Sequence, residues 1–272
     1  MATAFVLVLL VVCTVLLHLL SPWWWTPIAS NWQYIDNTIN LTFAITGAVF
    51  VAIILFVAYC VWKFRHQPGT RAHYEPENNK LEWGLTIATS VGVAAMLIPG
   101  LFVWHQFITV PEGAAQVEVV GLQWRWSYRL PGQDGRMGTA DSRHVSVDNP
   151  LGINPADPNG KDDLVIESDD LHLLLGKPTK FLLRSIDVIH NFYVPEFRAK
   201  MDFMPGLVTY IWLTPTRAGT FDVLCAELCG TGHYAMRGRV VVDTPADYEK
   251  WLTTQRTFAQ LRAQAQTVVL AK

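Results

Sequence analysis

The chain has 272 residues, 51% of them hydrophobic and 16% charged, with a formal net charge of −2. That balance is too apolar for a purely water-soluble domain and implies membrane spans. A near-neutral charge excludes nucleic acid as the expected partner.

Taken in order, residues 1–20 form the first apolar stretch, and no Lys or Arg occurs before Lys63. Ala2 to Leu20 is just long enough to cross a bilayer core of about 30 Å at about 1.5 Å per residue. It reads as an extra transmembrane helix or as a signal peptide; a basic n-region and a clean A-x-A cleavage site are both missing, which favours the helix. Residues 21–109 form a connector and a two-helix transmembrane hairpin. Ser21 to Asn40 is a polar, tryptophan-rich connector, in which Trp23, Trp24 and Trp25 suit the aromatic belt at a membrane surface. The hairpin helices are expected at 41–62 and 85–107. Lys63, Arg65, Arg71 and Lys80 lie between them, whereas the connector carries no basic residue. The positive-inside rule then assigns the loop to the cytoplasm and everything after the second hairpin helix to the outer face.

From about Val110 the pattern changes to short β-rich runs broken by Gly, Pro and Asp. They are Val117 to Val120, Phe181 to Leu183, Val208 to Leu213, Thr220 to Leu224 and Arg239 to Val242. Residues 110–244 therefore read as an all-β Greek-key sandwich or barrel. Gln123 to Tyr128, Q-W-R-W-S-Y, follows the first run, and period-2 alternation puts Trp124 and Trp126 on one face. Pro131 to Asp163 reads as a long loop or insertion. The acids beside it, Asp162, Asp163, Glu167, Asp169 and Asp170, read as solvated loop charge or as a docking patch for a basic partner. Thr244-Pro245-Ala246-Asp247 is a helix start, so 245–272 is expected to be a C-terminal amphipathic helix with Tyr248, Trp251 and Leu252 on its apolar face.

The chemistry concentrates in Cys225 to Met236, C-A-E-L-C-G-T-G-H-Y-A-M, with the spacing C-x3-C-x3-H-x2-M. Thiolate, imidazole and thioether are soft ligands, the set that suits copper. Gly230 and Gly232 would let the backbone wrap around one point. Three other readings remain: a disulfide between Cys225 and Cys229, a Cys2His2 zinc site completed by a second histidine, and Met236 as core filling. A second segment, Asp187 to Asp202, holds His190 in an apolar, β-rich run and would supply an upstream nitrogen ligand. Cys13 and Cys60 lie in apolar runs and read as inert small hydrophobes.

These two segments together resemble the dinuclear copper (CuA) site of cytochrome c oxidase subunit II. The resemblance covers about Leu41 to Trp251. It implies a cupredoxin fold and copper ligands His190, Cys225, the Glu227 carbonyl, Cys229, His233 and Met236. It also implies that the Glu227 side chain helps hold a magnesium ion at the interface with the catalytic subunit. Trp124 matches the exposed aromatic that receives the electron from cytochrome c, and Glu82 matches a glutamate near the start of a proton path. The implied partners are heme–copper subunit I, which carries the heme and reduces oxygen, other oxidase subunits, a c-type cytochrome donor and the lipid bilayer. The implied location is a bacterial-type inner membrane, or an equivalent energy-transducing one, with the copper domain outside. A third N-terminal helix departs from the usual two-span plan of the family. The alternatives are a quinol oxidase subunit without copper, a membrane-tethered carrier with a single copper, and the copper domain of nitrous oxide reductase.

Overall fold

In the computed structural model the residues described are 1–21, 26–71, 73–166 and 170–270, with side chains up to 265. Trp23, Trp24 and Trp25 lie outside them, as do Glu167 and Asp169 of the acidic cluster. The chain divides into two compact units, Met1–Thr26 with Tyr34–His105, and Pro27–Gln33 with Gln106–Lys272.

The first unit is helical. Helices α1 (Ala2–Leu20), α2 (Gln33–Lys63) and α3 (Asn79–Ile108) are each long and apolar enough to cross a membrane. α2 starts eight residues before the apolar run at 41–62, because its polar first turns satisfy themselves. The hydroxyls of Thr38, Thr42 and Thr46 donate to the carbonyls four residues back, at 2.8, 2.9 and 2.7 Å. Asp36 in the first turn adds a favourable charge at the positive helix end. α3 likewise begins ahead of its apolar run, where the Asn78 side chain accepts from Leu81 N at 3.1 Å. Pro99 sits inside α3 without ending it.

The second unit is a two-sheet β-domain. Strands β1 (Ala115–Leu122), β2 (Arg125–Leu130), β3 (Leu164–Ile166), β5 (Thr179–Ser185), β8 (Val208–Leu213) and β11 (Arg256–Thr257) form one sheet in the order β11-β3-β2-β1-β5-β8. The other contains β4 (Asp170–Leu174), β6 (His190–Val194), β7 (Ala199–Phe203), β9 (Gly219–Cys225) and β10 (Arg237–Asp243), ordered β4-β10-β9-β6-β7. β1 pairs with β5, and β10 with β4, in parallel; the remaining neighbours are antiparallel. Alternate residues of each strand point inward, so Val117, Val119, Phe181, Leu183 and Ile211 of one sheet and Phe192, Val194, Phe221, Val223 and Val240 of the other are buried. Three apolar helices followed by an all-β domain are the architecture that the pattern of spans and short strands implied, and the cupredoxin-like form is the one that the resemblance implied.

Three expectations change. First, the connector is partly structural. Ser30 bridges Pro215, Ser30 Oγ donates to Phe197 O at 2.7 Å, and buried Trp32 donates from Nε1 to Trp212 O at 3.0 Å while its ring meets Trp212 edge-on. Second, the long loop 131–163 packs on the sheet, and one of the acids read as solvated charge or a docking patch is buried. Leu151 and Ile153 cover Val120 on the outer face of β1 and form a small core with Phe258. Asp163 is fully buried, its Oδ2 accepting from Arg129 Nη1 at 2.7 Å and from Gly138 N at 3.0 Å. Arg129 also donates to Glu118 at 2.9 Å, and Arg184 meets Glu118 at 3.3 Å. Buried charges of this kind persist only when paired, so Asp163 is unavailable for docking.

Third, the tail is two helices, α4 (Pro245–Leu252) and α5 (Phe258–Leu270). Thr244 caps α4, accepting from Asp247 N at 3.4 Å. The chain then leaves the helix because Arg256 and Thr257 pair with the sheet edge at β3. A reciprocal cap restarts it: Thr257 N donates to Gln260 Oε1 at 2.9 Å, and Gln260 N to Thr257 Oγ1 at 3.3 Å. Burial of Phe258 against Val120 and Ile153 holds the break in place.

Candidate metal centre

The ligand loop is closed at its base by sheet hydrogen bonds. β9 and β10 are antiparallel up to the pair Leu224–Arg237, and Cys225 N continues the ladder by donating to Met236 O at 3.2 Å. On the other side Cys225 pairs with Phe192 of β6, and Ala226 N donates to Asn191 O at 3.2 Å. His190 opens β6 two residues away. Three strand ends thus bring a histidine to cysteines 35 and 39 residues later.

The donor atoms converge. Cys225 Sγ lies 3.9 Å from His190 Nδ1, 3.2 Å from the Glu227 carbonyl and 3.7 Å from Cys229 Sγ. Cys229 Sγ lies 3.6 Å from His233 Nδ1 and 3.9 Å from Met236 Sδ. Donors about 2.0 to 2.3 Å from a shared tetrahedral ion are about 3.3 to 3.8 Å apart, so these separations are close to those of a metal site. A disulfide would need the sulfurs near 2.05 Å; both thiols are free. Met236, 1% exposed, has its sulfur turned to Cys229. Among the residue types that bind metals most often, His190, Cys225 and Cys229 place one donor each within 4.8 Å of one another.

The surroundings set the chemistry of these donors. His190 is fully buried, and its Nε2 lies 2.8 Å from Asp187 Oδ1, leaving Nδ1 turned towards the thiol. A carboxylate on the far nitrogen selects that tautomer and orients the ring, as outer partners of metal-binding histidines do. Burial opposes ionisation of Asp187, but hydrogen bonds from Gln123 N, His190 and Val188 N outweigh it and hold its carboxyl below the usual range. Burial, with Cys225 as the second cause, pushes the Cys229 thiol up to about 12. Metal binds the thiolate, so binding and loss of that proton go together.

Around the donors the two tryptophans separate. Trp126 is 2% exposed, with its ring 6.2 Å from His190 and 5.3 Å from Phe203. Trp124 is 41% exposed, because it sits in the turn before β2 rather than on the strand, which removes it from the period-2 face. Its Nε1 donates to Cys229 O at 3.2 Å. Two glycines receive its ring, for different reasons. Gly230 has φ +117°, which side chains disfavour, whereas Gly232 has φ −90° and needs no special freedom. A Cβ on Gly232 would come within 2.3 Å of Trp124 Cδ2, so Gly232 supplies space instead of flexibility. Gly121 does the same for His190, whose Cδ2 would lie 3.0 Å from an added Cβ.

Glu227 is exposed, with its carbonyl turned to Cys225. Glu82 belongs to the helical unit and is exposed in the first turn of α3. Asp187, Gln123 and Gly121 are site residues that motif spacing did not identify, because each acts through what it touches; Gly232 was expected to give the loop freedom and instead gives the Trp124 ring room.

A family model described as the periplasmic domain of cytochrome c oxidase subunit II matches residues 115–244. The alternative cytochrome c oxidase subunit 2 of Bradyrhizobium diazoefficiens is 62% identical over 272 residues, covering 100% of this chain and 98% of the relative. Cytochrome c oxidase subunit 2 of Cereibacter sphaeroides is 27% identical, over 85% of this chain and 78% of the relative. Among solved structures, the crystal structure of the periplasmic domain of subunit II of cytochrome oxidase (CoxB) of Bradyrhizobium japonicum is similar at 25% identity and a TM-score of 0.40, covering 54% of this chain and 96% of that one.

Proposed function

The chain belongs to the cytochrome c oxidase subunit II family, and on that premise we propose that it is the subunit through which electrons enter a heme–copper terminal oxidase. The finer reading is a dinuclear copper centre held by His190, Cys225, the Glu227 carbonyl, Cys229, His233 and Met236, reduced by a c-type cytochrome. The observation that carries it is the pair of thiols 3.7 Å apart, each with an imidazole of its own at 3.9 and 3.6 Å. A single four-coordinate ion needs no more than four donors; this set offers six, arranged as two ends about a shared pair of sulfurs. A dinuclear copper centre held by these residues would supply one-electron redox chemistry with little structural change.

The protein's part is to keep the donors still. Strand ladders fix Cys225 and Met236 at the base of the loop, Asp187 fixes the His190 ring, and Trp126, Phe192 and Phe203 pack behind it. Rigid donors present a low reorganisation barrier to electron transfer, the same logic by which preorganised groups lower barriers elsewhere. Trp124 is the residue that accepts the electron from the donor. Its exposed ring offers an aromatic face, and its Nε1 touches the carbonyl of a ligand residue. Exposed Leu228 and Tyr234, each adjacent to a ligand in sequence, add apolar area for a short-lived docked complex.

Heme and oxygen chemistry belong to subunit I. The exposed Glu227 carboxylate is the group that would help hold magnesium at the interface with subunit I, and Glu82 the one at the start of a proton path. The basic loop between α2 and α3 assigns that loop to the cytoplasm and the β-domain to the outer side. Metal content and EPR of the purified oxidase complex test the central reading. Two coppers in this subunit with one unpaired electron coupled equally to both are expected. One copper, zinc alone or no metal overturns it, the last of these being the outcome for a quinol oxidase subunit.

A further inference from the structure

Gln123 makes the two contacts that join the Trp124 turn to the metal loop and to the histidine ligand. Its Nε2 donates to Cys229 O at 2.7 Å, the same carbonyl that accepts from Trp124 Nε1 at 3.2 Å. Because the acceptor is a carbonyl, only the amide nitrogen can face it, which fixes the orientation of the Gln123 side chain. Its backbone N–H donates to Asp187 Oδ2 at 2.6 Å, and the other carboxylate oxygen, Oδ1, lies 2.8 Å from His190 Nε2. One residue thus ties together the loop through Cys229, the upstream ligand through Asp187, and Trp124 through the peptide bond. Gly230 completes the arrangement: an added Cβ there would meet Gln123 Nε2 at 3.0 Å and the Trp124 ring at 3.3 Å.

We infer that Gln123 is a positioning residue for electron transfer, its amide holding the Trp124 ring against the Cys229 segment of the ligand loop. The inference rests on the reading of Trp124 as the electron acceptor and adds a residue that carries no electron itself. Trp124 is half open to solvent and has one polar contact of its own at 3.2 Å. A single hydrogen bond at a wet surface is weak, because water competes for both partners, and it fluctuates readily. The shorter Gln123 bond to the same carbonyl makes that carbonyl a fixed point, so ring and loop move as one body. Without it the turn keeps its backbone bond to Asp187 but is linked to the loop only by the longer Trp124 bond.

Two near-isosteric variants separate donor chemistry from bulk. Gln123→Met keeps the length and removes all polarity; Gln123→Glu keeps the shape but turns an acceptor towards the carbonyl. In the intact oxidase complex both are expected to retain two coppers and the native EPR hyperfine pattern. KM for the reduced c-type cytochrome should change less than about twofold. The electron-transfer rate within the docked complex should fall on the order of tenfold to a hundredfold, the scale of effect that about 1 Å of misplacement produces. In the copper-free subunit, hydrogen exchange of the segments around 123 and 229–232 should quicken, a readout independent of turnover. Native transfer rates in both variants, while Trp124→Ala is slow, would overturn the positioning role. Loss of copper or of the EPR pattern in both variants would overturn it as well, making Gln123 a support of the metal site. Native rates in Trp124→Ala itself would remove the underlying reading instead, so the two failures are distinguishable.

Discussion

Replacing Gly232 by alanine isolates the contact between Trp124 and the metal loop. The backbone at Gly232, φ −90° and ψ 7°, is open to an L-residue, so the substitution adds little strain of its own. The added Cβ, however, would stand 2.3 Å from Trp124 Cδ2 and 2.7 Å from Cγ and Cε3. Carbon–carbon contact is comfortable at about 3.5 Å, so the ring must retreat by about 1.2 Å. The Nε1 bond to Cys229 O is already 3.2 Å long, and a retreat of that size takes it beyond hydrogen-bonding range. The ring is at the surface and free to yield, so the stability cost should lie at the low end of the 1–3 kcal/mol typical of overpacking. Electron transfer carries the larger effect. Flash-induced transfer from a bound c-type cytochrome is expected to slow on the order of tenfold or more, with the copper EPR spectrum unchanged. A double-mutant cycle checks the cause. In a Trp124→Ala background there is no ring to displace, and Gly232→Ala should then add no further loss. Equal slowing in both backgrounds, or none in either, would refute the steric argument.

Arg129→Met should destabilise the β-domain by about 3–5 kcal/mol in urea denaturation, because it leaves Glu118 and Asp163 buried without their shared cation. Burial pushes the Asp163 carboxyl up to about 6 from an ordinary 3.8, against the pull of Arg129. Its stability contribution is therefore complete below about pH 4 and lost as the pH rises through about 6, by up to about 3 kcal/mol. Asp163→Asn should flatten that part of the stability–pH profile, and identical slopes in both proteins would exclude the assignment. Cys225→Ser should abolish or convert the copper cluster, whereas Met236→Leu should keep copper and shift the reduction potential; metal analysis with EPR-monitored titration reads both.

The amino-acid sequence by itself determined whatever depends on chemistry close together along the chain. A nineteen-residue, mostly apolar run without Asp, Glu, Lys or Arg makes α1, and C-x3-C-x3-H-x2-M brings four soft donors within one loop, because so short a segment has few other places to put them. His190 could be proposed from sequence as an upstream donor, but its placement beside Cys225, 35 residues later, is made by the pairing of β6 with β9. Tertiary structure alone decided which tryptophan faces solvent: alternation holds only while a strand continues, and Trp124 stands in the turn before β2. It also decided that Asp163 is an interior ion-pair partner, since the guanidinium that stabilises it comes from another strand. The tail breaks at Arg256 and Thr257 for a similar reason: helix signals are local, whereas the sheet edge that captures those residues lies about 90 positions earlier, at Leu164 and Val165. Gln123 and Gly121 carry no signature in sequence, and Gly232 carried one for flexibility only, because their roles are defined by what they touch. A glutamine becomes a clamp, and a glycine becomes space, only when folding brings a carbonyl, an imidazole or an indole ring against it.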